Sequence, residues 1–373
     1  MSTTSQASAV HLVRSEAHDD GSHSSDQLAD RVHRGELLRL RRGVYLEAEV
    51  WLQAPGWRRH EVTAAAEAMK NDVALFCRET ALRIYGLPVL KMPAAIQVRA
   101  AGRGRVGTVS PASMTGQVTA AQFLRRHAAG GPAAGSADEA ALNPVATKFL
   151  EPALPAGVSR SELRRAISRG THANPHALLP SDALPHLRGP HGYRVEPAGL
   201  AVVDTVSRLP FVDAAVVLDA VKARADVDVE PWLRYLCTKR QRRRWERAWA
   251  FADPLAESAL ESESRAVLHE LGFPAPTLQK VVQTPLGQFR LDMCWEGQRV
   301  AAEVDGRSKY FDAQYAADRD ARDIHYAEKQ RREAIEEAGW RVVRWGKQQL
   351  RRPEQLVRRL ERCGLVPRRP GAS

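Results

Sequence analysis

The sequence contains few cysteines and no long hydrophobic run, and each absence excludes a class of protein. Only four cysteines occur among the 373 residues, namely Cys77, Cys237, Cys294 and Cys363. They lie too far apart for a zinc knuckle or a disulfide framework, so we expect a reducing, cytoplasmic environment. No apolar run approaches the ~18 residues that a transmembrane helix needs. We therefore expect no membrane partner.

Targeting and nucleotide-binding signals are also missing. Residues 1–20 lack the basic and continuous apolar regions of a secretory signal, so no such signal is expected. No Gly-x-x-x-x-Gly-Lys-Ser/Thr segment is present, and the glycine-rich stretch at 101–105 lacks the strand–helix context of a phosphate loop. The sequence therefore contains no recognisable phosphate-binding loop.

Positive charge is what the chain has in excess. Lys and Arg number 55 against 44 Asp and Glu, which gives a formal net charge of +11. The hydrophobic fraction of 44% is ordinary for a globular protein. The positive excess favours a polyanionic partner such as DNA. At roughly 150 residues per domain, the length predicts two or three domains.

The first 50 residues predict a helix followed by a basic hairpin, the order of a winged helix-turn-helix module. Ser25 is a suitable N-cap, and the apolar residues after it recur at helical spacing. After Gly35 the period changes to two, with leucines on one face and arginines on the other. The arginines assigned to DNA phosphates are Arg39, Arg41 and Arg42. The alternative is a solvated hairpin without a ligand.

Residues 51–250 indicate an α/β middle region with a less regular insertion. Helical patterns at 60–90 and 199–224 flank a strand at 96–99. Between about 105 and 190 the chain is rich in Pro, Ala and Gly, as linkers and insertions are.

A dense basic run near the end of the middle region predicts a second nucleic-acid contact. Its assigned contacts are Lys239, Arg240, Arg243 and Arg244. Trp245 and Trp249 are interleaved with them, a pattern that suits backbone tracking with base stacking. The alternative is a solvated helix face whose tryptophans point into the core.

The last third, residues 251–365, has the clearest pattern. The predicted elements are helices at 255–271, 314–338 and 347–362 and strands at 277–283, 289–295, 300–305 and 340–345. The order α-βββ-α-β-α is that of a mixed sheet with helices packed on it, not of a doubly wound nucleotide-binding fold.

Acidic residues fall on adjacent strands of this predicted sheet. A period of two places Glu303 and Asp305 on one face of their strand. Asp292 lies on the preceding strand, and Glu261 on the leading helix is a further carboxylate. Converging carboxylates are costly to bury without a cation, and Mg²⁺, or Mn²⁺ in its place, suits oxygen ligands.

The acidic pattern favours phosphodiester hydrolysis. Asp292 and Glu303 are the expected metal ligands, with Glu261 and Asp305 as supporting acids. The alternative is a set of edge-strand carboxylates paired with nearby arginines.

Five segments of the last third share the pattern of a known nuclease family. They are ALESESR at 259–265, FRLDMCW at 289–295, AAEVDGRSKY at 301–310, AEKQRREAI at 327–335 and GWRVVRW at 339–345. Through them, residues 256–350 resemble the very-short-patch-repair-endonuclease-like branch of the PD-(D/E)xK superfamily. The resemblance implies a restriction-endonuclease-like α-βββ-α-β core whose acids are Glu261, Asp292 and Glu303, extended by Asp305-Gly306.

One departure from the superfamily concerns its lysine. The generic E-x-K pattern would place a lysine at 305, where this chain has Asp305. The lysine role therefore has to move to Lys309, four positions later, or to Lys329 on the following helix. There it would orient water or stabilise transition-state charge.

Three segments of the front half share the pattern of another family. They are GELLRLRRGVYL at 35–46, FCRETALRIYGLPV at 76–89 and GLAVVDTVSRLPFVDAAVVLDAV at 199–221. They resemble the AbiEi-type antitoxins of abortive-infection and toxin–antitoxin systems. The resemblance implies a winged-helix DNA-binding module at 1–50, an AbiEi-like middle region at 51–250, and a cognate toxin as a candidate partner.

Three hypotheses follow for the whole chain. The preferred one is a cytoplasmic, DNA-associated protein with a metal-dependent endonuclease domain. The second is a non-catalytic DNA-binding regulator of the antitoxin type, in which the nuclease-like fold is inactive. The third is an interaction scaffold.

Overall fold

A computed structural model describes residues 11–15, 25–100, 105–129, 139–157, 192–305 and 321–368. These residues mix helices and strands and form two compact units. Unit 1 comprises the described residues up to 205 together with 228–238, and unit 2 comprises 206–227 and the described residues from 239 onward. In these ranges, no helix has both the length and the apolar character needed to cross a membrane.

The N-terminal part of unit 1 contains the predicted helix and hairpin. Its elements are β1 (Val13–Arg14), α1 (Ser25–His33), β2 (Leu37–Arg41), β3 (Val44–Glu47), α2 (Ala48–Gln53) and α3 (Gly56–Lys70). The strands form an antiparallel sheet in the order β1-β3-β2. Leu37, Leu46 and Trp51 pack in a core that also includes Phe123 and Leu142, so later residues complete the core around the hairpin.

The second sheet of unit 1 lies partly in the stretch that the composition predicts as an insertion. The elements are α4 (Arg78–Ile84), β4 (Ala95–Arg99), β5 (Gly107–Val109), α5 (Ala120–Ala129), β6 (Ala146–Leu150) and α6 (Ala198–Val206). The strand order is β4-β6-β5, with β4 and β6 parallel. The described part of the 105–190 stretch is therefore structured, because β6 supplies the central strand of this sheet.

A β-bulge in the hairpin corrects the prediction for Arg41. The register of β2 against β3 shifts between Arg39 and Arg41, so the strict alternation of faces ends there. Arg41 is only 4% exposed, and its guanidinium donates to the carboxylate of Glu67, to Thr147 Oγ1 at 3.1 Å and to the Val145 carbonyl at 3.0 Å. Arg41 therefore joins the hairpin to α3 and β6 and is not the exposed phosphate contact that alternation predicts.

Unit 2 contains the α-βββ-α-β order that the periodicity predicts. Its elements are α7 (Phe211–Lys222), α8 (Lys239–Phe251), α9 (Ala259–Glu270), β7 (Thr277–Thr284), β8 (Gly287–Trp295), β9 (Val300–Asp305), α10 (Ala321–Glu337), β10 (Arg341–Gly346), α11 (Lys347–Leu350) and α12 (Pro353–Arg362). The sheet order is β10-β9-β8-β7. Neighbours among β7, β8 and β9 are antiparallel, and β10 is parallel to β9.

Helices cover both faces of this sheet. Trp295 and Trp345 pack on one face with Leu268 of α9 and Leu360 of α12. Ile335 of α10 packs on the other face in a smaller apolar cluster. The sheet is therefore buried on both sides, which explains why β9 reads as a nearly continuous apolar run.

A buried ion pair joins α7 to α9 within unit 2. Asp219 is fully buried, and both its carboxylate oxygens accept hydrogen bonds from Arg265 Nη2 at 2.7 and 2.8 Å. The same carboxylate accepts from the backbone N–H of Asp253. The sequence places α7 and α8 in a middle region that ends at 250, whereas they fold with α9.

The contrast between Arg41 and its neighbour Arg42 can be tested by substitution. We expect Arg41→Ala to reduce the free energy of unfolding of unit 1 by about 3–5 kcal/mol, because it leaves the Glu67 carboxylate buried without its partner. Arg42 is exposed at the turn, so Arg42→Ala should change stability by less than about 0.5 kcal/mol. Urea unfolding of both variants measures the difference, and equal effects would contradict the buried role of Arg41.

A buried histidine predicts a pH dependence of stability. His60 on α3 is 3% exposed, and burial lowers its pKa from 6.5 to about 4, although a hydrogen bond to the Ala95 backbone opposes the shift. Because the unfolded state takes up the proton first, stability is lost as pH falls from 6.5 toward 4. At pH 5 the loss should be about 2 kcal/mol.

The variant His60→Gln separates this contribution from that of the carboxylates. It keeps a hydrogen-bond donor and cannot titrate, so it should lose about 2 kcal/mol less stability than the wild type between pH 7 and pH 5. Urea unfolding at both pH values provides the comparison. Parallel losses in the two proteins would show that His60 does not titrate on unfolding.

Candidate active site

The candidate site lies where strands β8 and β9 separate. Their antiparallel ladder ends at the pair Met293 and Ala302, although both strands continue beyond it. Asp292 and Glu303 are the next residues on each strand. The Asp292 carboxylate accepts a hydrogen bond from the Val304 N–H at 3.0 Å, so a side chain replaces the missing backbone partner. The two predicted metal ligands therefore lie at the opening of the sheet.

The Glu303 carboxylate is buried and compensated by two arginines. It is 5% exposed, and β10 places Arg344 beside it in the parallel register. Arg344 Nη2 and Nε donate to Glu303 Oε2 at 2.8 and 3.2 Å. Arg331 Nη2 lies 3.3 Å from Oε1, but that oxygen accepts no hydrogen bond from a described residue. Oε1 of Glu303 is thus buried beside a positive charge but accepts no hydrogen bond from the described residues.

Arg344 contacts three carboxylates from two elements. Besides Glu303, its Nε lies 3.1 Å from Asp305 Oδ2 and its Nη1 3.2 Å from Glu328 Oε2 on α10. Burial opposes the charged form, but the hydrogen bond and charge of Glu303 outweigh it and raise the pKa of Arg344. The guanidinium is therefore a fixed positive charge among these acids.

Glu261 lies at the start of α9 in its own hydrogen-bond network. Its carboxylate accepts from Ser258 Oγ at 2.8 Å, the Glu257 N–H at 3.1 Å and Gln279 Nε2 at 3.0 Å. Burial raises the pKa of Glu261 against these hydrogen bonds, and the negative charge of Asp292 raises it further. Glu261 is thus electrostatically coupled to the acid on β8.

Of the two predicted lysines, Lys329 does not supply a cation to the described site. Lys329 is exposed, and its Nζ lies 3.7 Å from Glu333 one turn along the same helix. It forms no ion pair with Glu303 or Asp305. Lys309 lies outside the residues that the structure describes.

Sequence reasoning missed Arg331 and Arg344 as the cations beside Glu303. A signal for Arg344 was present, because a strand that follows a crossover helix pairs in parallel with the strand before the helix. Arg344 then stands beside the acidic end of β9 in a largely apolar strand. Arg331 gives no comparable signal among the many charges of α10.

Asp292 and Glu303 are candidates for a site in which the protein provides two ligands, not for one in which protein side chains surround the cation. Among the described residues, no group of three or more His, Cys, Asp or Glu is placed to hold a metal ion. Mg²⁺ is nevertheless commonly bound through one or two carboxylates, together with waters and substrate phosphates. Asp292 at the strand opening and Glu303 Oε1, which accepts no hydrogen bond from a described residue, are the oxygen donors that such a site would use.

Helix α8 presents basic side chains on its exposed face. Lys239, Arg240 and Arg243 are exposed and form no ion pair with another described residue. Arg244 is partly buried and donates to the Arg208 carbonyl at 3.2 Å. The first three are thus available to a polyanion, whereas Arg244 also has a structural role.

The tryptophans of α8 pack against their own unit. Trp245 is 4% exposed and stacks on Trp249, with ring centroids 5.4 Å apart and planes inclined by 14°. Lys222 Nζ of α7 lies 4.8 Å from the centroid of Trp249. Trp245 is therefore a core residue, as the alternative interpretation of this basic run expects, and the partly buried Trp249 packs on it.

The two remaining arginines of the hairpin differ in exposure. Arg42 is exposed at the turn between β2 and β3. Arg39 is partly buried, and its Nε is buried without a hydrogen-bond partner in the described part of the chain. Arg42 is therefore the more accessible of the two.

Comparison with known proteins adds a local similarity. No family model matches the chain, and no solved structure does. A stretch of 56 residues is 45% identical to Uncharacterized protein MT2308 of Mycobacterium tuberculosis (strain CDC 1551 / Oshkosh) and to Uncharacterized protein Rv2248 of Mycobacterium tuberculosis (strain ATCC 25618 / H37Rv). The match covers 15% of this chain and 21% of each relative, so the chain spans about a fifth of their length.

Proposed function

We propose that the chain is a DNA-associated protein whose unit 2 is a metal-dependent endonuclease. The observation that carries the proposal is the position of Asp292 and Glu303, two acids at the point where β8 and β9 separate. Glu303 is buried, and its Oε1, which accepts no hydrogen bond from a described residue, would provide a ligand for a divalent cation. Phosphodiester hydrolysis is the reaction that best uses such a pair.

The topology of unit 2 supports a restriction-endonuclease-like core. The order α9-β7-β8-β9-α10-β10 and the strand order β10-β9-β8-β7 agree with the expected α-βββ-α-β arrangement. The proposal assigns this unit to the PD-(D/E)xK class, which the segments around Glu261, Asp292 and Glu303 resemble.

Each acid has a distinct role in the proposed mechanism. Asp292 and Glu303 would hold Mg²⁺ or Mn²⁺, which would supply polarisation of the phosphate and activation of water. Glu261, held by Ser258 and Gln279 at the start of α9, is the supporting acid beside Asp292. The Val304 N–H keeps the Asp292 carboxylate at the strand opening.

Two basic surfaces are proposed to hold the DNA backbone. On unit 2 these are the exposed residues Lys239, Arg240 and Arg243 of α8, and on unit 1 it is Arg42 at the tip of a winged-helix hairpin. Such contacts add affinity that is uniform across sequences, because phosphates carry no base information.

A second candidate is a non-catalytic DNA-binding regulator of the antitoxin type, with a cognate toxin as partner. The observation that favours it is the pairing of Glu303 with Arg344 and Arg331, together with Asp305 at the position of the superfamily's lysine. In this case the arginines permanently neutralise the acid that would otherwise bind metal.

Plasmid cleavage separates the two candidates. We expect the wild type to nick supercoiled plasmid with Mg²⁺ or Mn²⁺, and Asp292→Asn and Glu303→Gln to lower the rate at least about a hundredfold, because each removes a metal ligand. Glu296→Gln is the matched control, since Glu296 is an exposed acid paired with Lys280 at the far end of β8. The control should cleave like the wild type.

Two outcomes would contradict the assignment of unit 2 as an endonuclease. Binding of DNA without cleavage by the wild type under either metal would favour the regulator. Cleavage that persists in Asp292→Asn and Glu303→Gln would place the active site elsewhere.

The salt dependence of DNA binding tests the basic surfaces. Each lost phosphate contact should reduce the slope of log Kobs against log [salt] by about 0.9, so Lys239→Ala/Arg240→Ala/Arg243→Ala should lower it by about 2–3 and Arg42→Ala by about 1. Lys70→Ala, an exposed lysine at the end of α3, is the control. Unchanged slopes in the first two variants would exclude these residues as contacts.

A further inference from the structure

Arg344 has a donor geometry that serves more than one partner at a time. Its Nη2 faces Glu303, its Nη1 faces Glu328, and its Nε lies near both Glu303 and Asp305. A guanidinium carries five N–H donors in a rigid fork, so it can release one partner while the others hold it in place. Asp305 and Glu328 are suited to that holding role.

Hydrolysis of a phosphodiester needs positive charge at the phosphate as well as a metal. Negative charge develops on the phosphate oxygens in the transition state, and preorganised cations stabilise it. Glu303 and Asp305 by themselves would repel this charge. Arg344 is the cation that the described structure places in contact with both.

We propose that Arg344 binds the scissile phosphate once a divalent cation has taken Glu303. In the described structure Nη2 of Arg344 donates to Glu303, and with a divalent cation on Glu303 the same N–H groups would turn to a phosphate oxygen. Asp305 and Glu328 keep the guanidinium in position during the exchange and are positioning residues. This inference rests on the proposed nuclease function. It assigns to Arg344 on β10 the positive charge that the superfamily's lysine would provide at position 305 on β9.

Arg344 competes with the metal for Glu303 and also promotes cleavage. Its removal should therefore strengthen metal binding and slow cleavage. Arg344→Gln should bind Mn²⁺ about fivefold more tightly in the absence of DNA, since a partly exposed ion pair no longer competes for Glu303. It should cleave supercoiled plasmid about a hundredfold more slowly. A purely structural ion pair would also tighten metal binding on removal but would not slow cleavage, so the two changes together identify the phosphate role.

The experiment uses the full-length protein. Mn²⁺ affinity is measured by electron paramagnetic resonance, and cleavage by single-turnover nicking of supercoiled plasmid. Arg332→Gln is the matched control, because Arg332 is an exposed arginine of α10 paired with Glu336, and it should change neither quantity. In Arg344→Gln, a second substitution Asp305→Lys returns a cation to the face of Glu303 and should recover about tenfold in rate.

The outcomes distinguish this inference from the proposed function. If the wild type cleaves and Asp292→Asn does not, but Arg344→Gln cleaves within twofold of the wild type or binds Mn²⁺ more weakly, the role of Arg344 is wrong and the nuclease assignment stands. If the wild type cleaves no plasmid with either metal, the nuclease assignment is wrong and the phosphate role of Arg344 is lost with it.

Discussion

The buried charge of Glu303 is the constraint on which the rest of unit 2 depends. A carboxylate that is 5% exposed at the end of an apolar strand has to meet a cation, and here Arg331 and Arg344 provide it. These arginines come from α10 and β10, the two elements that follow β9 in the chain. Because an unpaired buried charge is strongly destabilising, the packing of the helix and the edge strand around β9 is coupled to the chemistry of the site.

The two candidate functions differ in which cation Glu303 holds. In the regulator it remains paired with arginine, and the opening between β8 and β9 has no chemical role. In the nuclease Glu303 and Asp292 would hold a divalent ion, and the guanidinium of Arg344 would then be free to contact a phosphate. The charges of both signs around Glu303 are compatible with either candidate.

Much of unit 2 follows from local pattern, and the errors have physical causes. The period of two in Val300–Asp305 correctly predicts a strand, and the order of helices and strands from 259 to 346 is confirmed. The helix expected from 255 begins at Ala259, because Ser258 caps it, and the last helix is divided before Pro353. In unit 1, the alternation argument fails at Arg41 because a bulge shifts the register within β2.

Element type and the acidity of β8 and β9 are local properties, so the sequence alone was enough to predict a mixed sheet with Asp292 and Glu303 on adjacent strands. Which cation pairs with Glu303 could be determined only from the tertiary structure. Arg344 is 41 residues away in the chain and reaches it because β10 pairs in parallel beside β9. The burial of Arg41 against Glu67 likewise required a distant element to provide the compensating charge. Ion pairs between distant residues depend on how the elements pack, and periodicity does not contain that information.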